Sequence, residues 1–215
     1  MLQPFASLLL CSIAMSPASA PSHLYALSAL DEPDTIELVE TAPIETTLDH
    51  ADIRNADVVW LELIRGAQHT LDFAEFYASD HAPSPLTPVI EAVEAAADGG
   101  VQVRFVGEEK FTKTYPEILE RLGKHKNIEM RRLDYSKVAG GVLHARYFLV
   151  DGAKSWIGTS NWEKDYFYKS RNVGFIVEGK AFAGRLDRFF ADGWNSSDAA
   201  VVDPSAKYEA PRTGD

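Results

Sequence analysis

Leu143-His144-Ala145-Arg146-Tyr147-Phe148-Leu149-Val150-Asp151, followed after six residues by Gly158-Thr159-Ser160-Asn161, is the stretch that decides how this chain reads. Tyr147 to Val150 has the composition of a buried strand, and Asp151-Gly152 closes it with turn residues. Gly140-Gly141 opens the segment, so the spacing predicts one long strand over Val142–Val150. On a strand, side chains two apart share a face. His144 and Arg146 therefore project together, while Ala145 points away. A second strand, Ser155 to Gly158, ends in the Gly-Thr-Ser-Asn turn, which brings two hydroxyls and an amide beside the pair. A neutral imidazole can attack phosphorus, a guanidinium matches two phosphoryl oxygens, and the Asn161 amide adds a neutral donor. No residues here have metal-ligand spacing, and no Gly-x-Ser-x-Gly elbow surrounds Ser160.

The elements around this centre alternate between helix and strand. Ile53, Ala56, Trp60, Leu63, Ile64 and Ala67 recur at helical spacing and predict a helix over 52–68. Leu71 to Tyr77 reads as a strand, and prolines at 83, 85 and 88 mark a loop. A helix through Val89, Ile90, Val93 and Ala97 then stops at Gly99-Gly100. Strands follow at 101–106 and 128–133, with a short helix over 115–122 between them. Another strand spans 173–177, and a helix over 182–194 closes the pattern. The order implies an α/β layered domain with helices packed on a central sheet.

Composition sets the outer bounds. The 215 residues carry 21 Lys and Arg against 32 Asp and Glu, a net charge of −11, so no uniformly basic surface awaits a polyanion. The charge is uneven. Residues 31–57 hold nine acids and one base, which is −8 of the total. Residues 104–132 hold eight Lys and Arg against five Glu, either a local basic face or ordinary solvated charge. A single cysteine, Cys11, rules out an intrachain disulfide and a cysteine-based zinc site. It sits in an uncharged, mostly apolar run that ends Ser16-Pro17-Ala18-Ser19-Ala20, the pattern of a signal peptide over residues 1–20. That run is too short for an ordinary membrane span. The expected organisation is a signal peptide at 1–20, an acidic segment at 21–50 leading into the domain, one domain at 51–197 and a loose tail at 198–215. The expected location is secreted or periplasmic.

The constellation His144-x-Arg146-x4-Asp151-x6-Gly158-Thr159-Ser160-Asn161 resembles the phospholipase D superfamily, whose signature is His-x-Lys, four residues, Asp, six residues, then Gly-Ser/Thr-x-Asn. Gly141-Val142-Leu143, Trp162, Asn172-Val173-Gly174-Phe175 and Gly193-Trp194-Asn195-Ser196 are similar to the animal and poxviral branch, which includes single-strand exonucleases. Leu63-Ile64-Arg65-Gly66-Ala67, with Leu71-Asp72-Phe73-Ala74 and Phe76-Tyr77, is similar to the start of such a module. The resemblance spans roughly residues 37–196. It implies an αβα sandwich with a mixed central sheet flanked by helices, one module per chain.

The resemblance also implies a mechanism. His144 would form a phosphohistidine, and a second histidine would protonate the leaving oxygen and then activate water. One motif per chain implies a homodimer in which two His144 residues meet. Arg146 and Asn161 would hold phosphoryl oxygens, with Thr159, Ser160 and Asn172 at the substrate, and Asp151 would orient the strand and its cations. No cofactor or metal is implied.

Two residues depart from the pattern. Arg146 replaces the usual Lys, and Asn172 stands where the family often carries a Glu that orients the histidine; Glu163 or Asp165 are candidate substitutes. Trp162, Tyr166, Phe167 and Tyr168 either stack bases, line an acyl pocket or pack on the sheet. The expected partner is a phosphodiester, with single-stranded nucleic acid favoured over phospholipid. The alternatives are a phospholipid hydrolase or transphosphatidylase, and a weakened module that binds phosphate without turnover.

Overall fold

The computed structural model describes residues 34–81, 83–203 and 205, so the expected signal peptide and Cys11 lie outside the described residues. A nine-stranded mixed sheet forms the centre. In chain order its strands are β1 (Thr35–Thr41), β2 (Arg54–Asn55), β3 (Thr70–Glu75), β5 (Gln102–Glu108), β6 (Ile128–Leu133), β7 (Arg146–Val150), β8 (Lys154–Gly158), β10 (Asn172–Glu178) and β11 (Ala199–Val201). Two short strands, β4 (Ala78–Ser79) and β9 (Trp162–Glu163), pair separately. Across the sheet the order is β11-β6-β5-β3-β7-β8-β10-β1-β2. β3, β5 and β6 run parallel, whereas β7, β8 and β10 form an antiparallel meander.

Among the described residues, seven helices connect the strands: α1 (Ala56–Gly66), α2 (Thr87–Asp98), α3 (Glu109–Thr114), α4 (Glu117–Leu122), α5 (Tyr135–Ala139), α6 (Lys164–Tyr168) and α7 (Lys180–Trp194). Alternation along β3 separates two cores. Leu71 and Phe73 join Trp60, Phe105, Phe148, Trp156 and Trp162 beneath α1 and α2. Ala74 joins Val106, Tyr147, Leu149, Ala183, Phe190 and Trp194 beneath α7. Helices therefore cover both faces, as expected. Trp156 fixes two glycines by close approach. A Cβ on Gly174 would lie 2.1 Å from its ring, and one on Gly158 2.7 Å.

Three boundaries differ from the sequence reading. The acidic segment expected only to lead into the domain contains β1, which pairs with β10 along its whole length and buries Val39, Glu40 and Thr41. The tail expected to be loose contains β11, antiparallel to β6, and Val202 is buried behind it. The long strand expected over 142–150 begins only at Arg146, because β3, its neighbour, ends at Glu75 opposite that residue. Pairing across the sheet set these limits, and a local pattern does not contain it.

Candidate active site

The end of β7 beside Glu75 gathers the polar chemistry. His144 lies on the extended segment before β7 and is exposed. Its backbone is anchored from β5, where the Leu143 N–H donates to Glu108 Oε2 at 2.6 Å. Burial raises the Glu108 carboxyl, while the N–H groups of Leu143 and Lys110 pull it back down. The imidazole meets the Phe76 ring edge-on, with centroids 4.7 Å apart. Arg146 Nη2 lies 2.9 Å from His144 Nε2, so the guanidinium donates to a neutral ring nitrogen. Arg146 Nε in turn donates to Asn161 Oδ1. Asn161 is 2% exposed, held in the turn between β8 and β9. Because β9 pairs with β4, that turn is tied to the chain just after β3.

His144, Arg146 and Asn161 therefore form one contiguous cluster. The other expected site residues stand apart from it. Asp151 is at the opposite end of β7, where its carboxylate accepts the N–H groups of Gln68, His69 and Thr70 at 2.7–2.9 Å. Burial opposes its ionisation, but these backbone hydrogen bonds hold the carboxyl below its ordinary range. It braces the strand pair and does not reach the cations. Ser160 is 1% exposed and presents no hydroxyl to a substrate. Thr159 is exposed and donates to Asn172 Oδ1 at 3.1 Å. Asn172 gives its amide N–H groups to Thr41 Oγ1 and the Tyr166 carbonyl, so it stitches β10 to β1 and α6 and makes no bond to the imidazole. The two candidate substitutes are engaged elsewhere: Glu163 accepts the Tyr77 hydroxyl, and Asp165 faces Lys169.

The structure also separates two sets of open alternatives in the surroundings. Trp162 and Phe167 are core residues packed on Trp60, not base or acyl contacts. The aromatics beside His144 are Phe76, Phe111, Tyr77 and Tyr115, each in ring contact with the next at 4.3–5.8 Å. The cations of 104–132 do not form an open basic face, since five of the eight are ion-paired: Arg104 to Asp72, Lys113 and Arg132 to Glu109, Arg121 to Glu94, and Arg131 to Glu129.

The sequence reading missed one residue altogether. Glu75 closes β3 directly opposite Arg146, with its side chain 1% exposed. A carboxylate ending an otherwise core-facing strand was the available signal. On the far side of His144, Val142, Leu143, Ile157, Leu186 and Phe189 line an open trough of about 400 Å³. Among the described residues, no group of three His, Cys, Asp or Glu is placed to hold a metal, and no helix is long and apolar enough to cross a membrane.

Comparison with known proteins places this geometry. The sequence profile described as "Cardiolipin synthase, PLD-like domain" matches residues 60–194. Phospholipase D Y of Dictyostelium discoideum is 26% identical over 193 residues, covering 82% of this chain and 43% of that protein. The virion nicking-joining enzyme of vaccinia virus is 26% identical over 161 residues, covering 73% and 37%. Human 5'-3' exonuclease PLD3 is 25% identical over 186 residues, covering 81% and 38%. The chain thus spans about two fifths of the length of these relatives. Among solved structures, NucT from Helicobacter pylori superposes with a TM-score of 0.65 at 14% identity, covering 79% of this chain and all of that one. Nuc from Salmonella typhimurium, a phospholipase D family member, superposes at 0.61 and 16%, covering 79% and 99%. With a profile match over more than half its length and the fold to go with it, the chain belongs to the phospholipase D-like family.

Proposed function

We propose that this chain is a phosphodiesterase that cleaves single-stranded nucleic acid through a phosphohistidine. The observation that carries the reading is an exposed imidazole whose Nε2 sits 2.9 Å from a guanidinium, itself held by a buried amide. In the first step an imidazole nitrogen of His144 bonds to phosphorus as the bond to the leaving oxygen breaks. A second histidine gives that oxygen its proton. Water then attacks phosphorus, the P–N bond breaks, and the second histidine takes the water's proton. Arg146, oriented by Asn161, stabilises the charge gathering on the phosphoryl oxygens. No step calls for a metal.

The second histidine is supplied by His144 of the partner subunit in a homodimer. An apolar strip supports such pairing. Leu38 of β1 and Phe175 of β10 are direct cross-strand neighbours, and with Ile36 and Val173 they remain exposed on the sheet face that α7 leaves uncovered. The aromatic row from Phe76 to Tyr115 favours nucleic acid, because stacked rings bind bases of any sequence. The names of two relatives, an exonuclease and a nicking-joining enzyme, point the same way. The apolar trough beside Leu143 and Phe189 favours a second reading, phospholipid hydrolysis. Export, read from residues 1–20, belongs to the same proposal, and a mature chain beginning at residue 21 in its host would support it.

The test is incubation of the purified protein with labelled single-stranded DNA and RNA, and separately with phosphatidylcholine and phosphatidylethanolamine vesicles, all with chelator present. Cleavage of the nucleic acid that disappears in His144→Ala supports the proposal. Headgroup release without nucleic-acid cleavage transfers the assignment to phospholipid. Turnover of neither, with phosphate analogues still bound, leaves the non-catalytic module.

A further inference from the structure

Glu75 is a buried carboxylate that the reaction above does not use. Its two oxygens find no hydrogen-bond partner among the described residues. Such a group is expensive to keep in a core, where an apolar side chain would stabilise the fold better. The groups that face it are few. Arg146 lies directly across from it on β7, and directly opposed side chains of antiparallel strands share a face. Gly107 lies opposite on β5 and brings no side chain. The Trp162 indole N–H from β9 is near enough to favour the anion slightly, without reaching hydrogen-bond geometry. Tyr147, the next residue along β7, projects to the opposite face, and its hydroxyl is held protonated first by burial and then by the carboxylates Glu75, Asp72 and Asp187. The one cation in this set is the guanidinium that touches His144.

The alternatives for a site carboxylate are accounted for. Asn172 has no charge, Glu163 holds Tyr77, Asp165 faces Lys169, and Asp151 and Glu108 accept backbone N–H groups. We propose that Glu75 is the buried counter-ion of Arg146, and that its proton sets how strongly the cluster holds a phosphodiester. With Glu75 protonated, Arg146 presents an uncompensated positive charge to the substrate. With Glu75 ionised, the guanidinium is neutralised from behind and a second negative charge faces the phosphate. Burial, opposed by Arg146, raises the carboxyl well above its ordinary range, so the change of state falls at a higher pH than for an exposed glutamate. Glu75 is a positioning and charge-setting residue that acts through Arg146. The inference rests on the phosphodiester reading of the cluster.

Dimethyl phosphate, a monoanion at every pH used, is the probe. Its affinity is measured by calorimetry across an acid-to-alkaline series in His144→Ala and in His144→Ala with Glu75→Gln, so that the imidazole's own proton is absent from both. Affinity in the single variant should fall roughly tenfold as pH rises, the size expected for one charge about 10 Å away at an effective dielectric near 20. The double variant should stay at the acidic-limit affinity. Parallel pH profiles in the two proteins would overturn the role of Glu75 and leave the phosphodiester reading intact. Absence of binding in every protein at every pH, wild type included, would overturn both.

A ligand-free measurement adds an independent check. A carboxyl raised in the folded state binds more protons there than in the unfolded chain, so it lowers stability progressively as pH rises above its unfolded value. Glu75→Gln escapes that loss. Its Tm should match the wild type in acid and exceed it increasingly toward alkaline pH. A Tm difference independent of pH would overturn the proposal.

Discussion

The strand pair β3–β7 carries a carboxylate at each end, and the two could hardly be treated more differently. At one end Asp151 receives three backbone N–H groups, which hold it ionised and tie the entry of β3 to the exit of β7. At the other end Glu75 is buried with no hydrogen-bond partner among the described residues, and the cation facing it is the Arg146 guanidinium. Satisfied polar groups brace a fold, whereas an unsatisfied buried charge costs stability and persists where something else requires it. The difference separates two roles that one sequence motif runs together. The Asp151 end holds the strands in place, and the His144 end uses that placement.

Substitutions at the two ends should therefore fail in opposite ways. The largest effect is expected from His144→Ala, which removes the proposed nucleophile. Turnover of single-stranded DNA should fall by roughly a thousandfold or more with Tm unchanged, since the side chain is exposed. Retained turnover would remove His144 from the chemistry. Arg146→Ala should lower kcat by about 10²–10³, the usual loss for a donor to developing charge, while Arg146→Lys should recover part of it.

Asp151→Ala should reverse this pattern. It leaves three N–H groups without their acceptor, and stability should drop by about 1–3 kcal/mol, with kcat nearly intact in the protein that remains folded. The sign of its pH dependence differs from that of Glu75. A carboxyl lowered in the folded state contributes its stability above the ordinary carboxylate range and loses it as pH falls through the lowered value. The gap between wild type and Asp151→Ala, read by chemical denaturation, should close on acidification. A large kcat loss at full stability would place Asp151 in the reaction after all. The smallest effect is expected from Phe111→Ala, which thins the aromatic row. It should raise KM for single-stranded DNA several-fold, within the 1–3 kcal/mol typical of one stacked base, and leave small phosphodiesters unaffected.

Much of this molecule is legible residue by residue. β6 spans the residues the sequence assigns to it, and α2 ends where Gly99-Gly100 says it should. The cluster of His144, Arg146 and Asn161 follows from spacing alone, because two-residue periodicity and a turn of fixed length project all three the same way. Other site residues are not legible. Thr159 and Asn172 look like substrate ligands in a motif, yet they bond to each other, Thr159 to the Val173 backbone, and Asn172 to Thr41 and the Tyr166 carbonyl. For Trp162 and Phe167 the sequence leaves stacking, acyl contact and packing open, and only the fold shows them packed on Trp60.

What the sequence determined by itself is the family, the alternating layers and the identity of the nucleophile candidate, all carried by short-range patterns. Tertiary structure alone decided which carboxylate stands behind Arg146. Glu75 and Arg146 lie 71 residues apart and meet only because β3 and β7 pair antiparallel in one register. A one-residue slip would turn Glu75 to the other face of the sheet. The same long-range pairing adds β1, beside β10, and β11, at the edge beside β6, to the sheet, although the sequence placed both outside the domain.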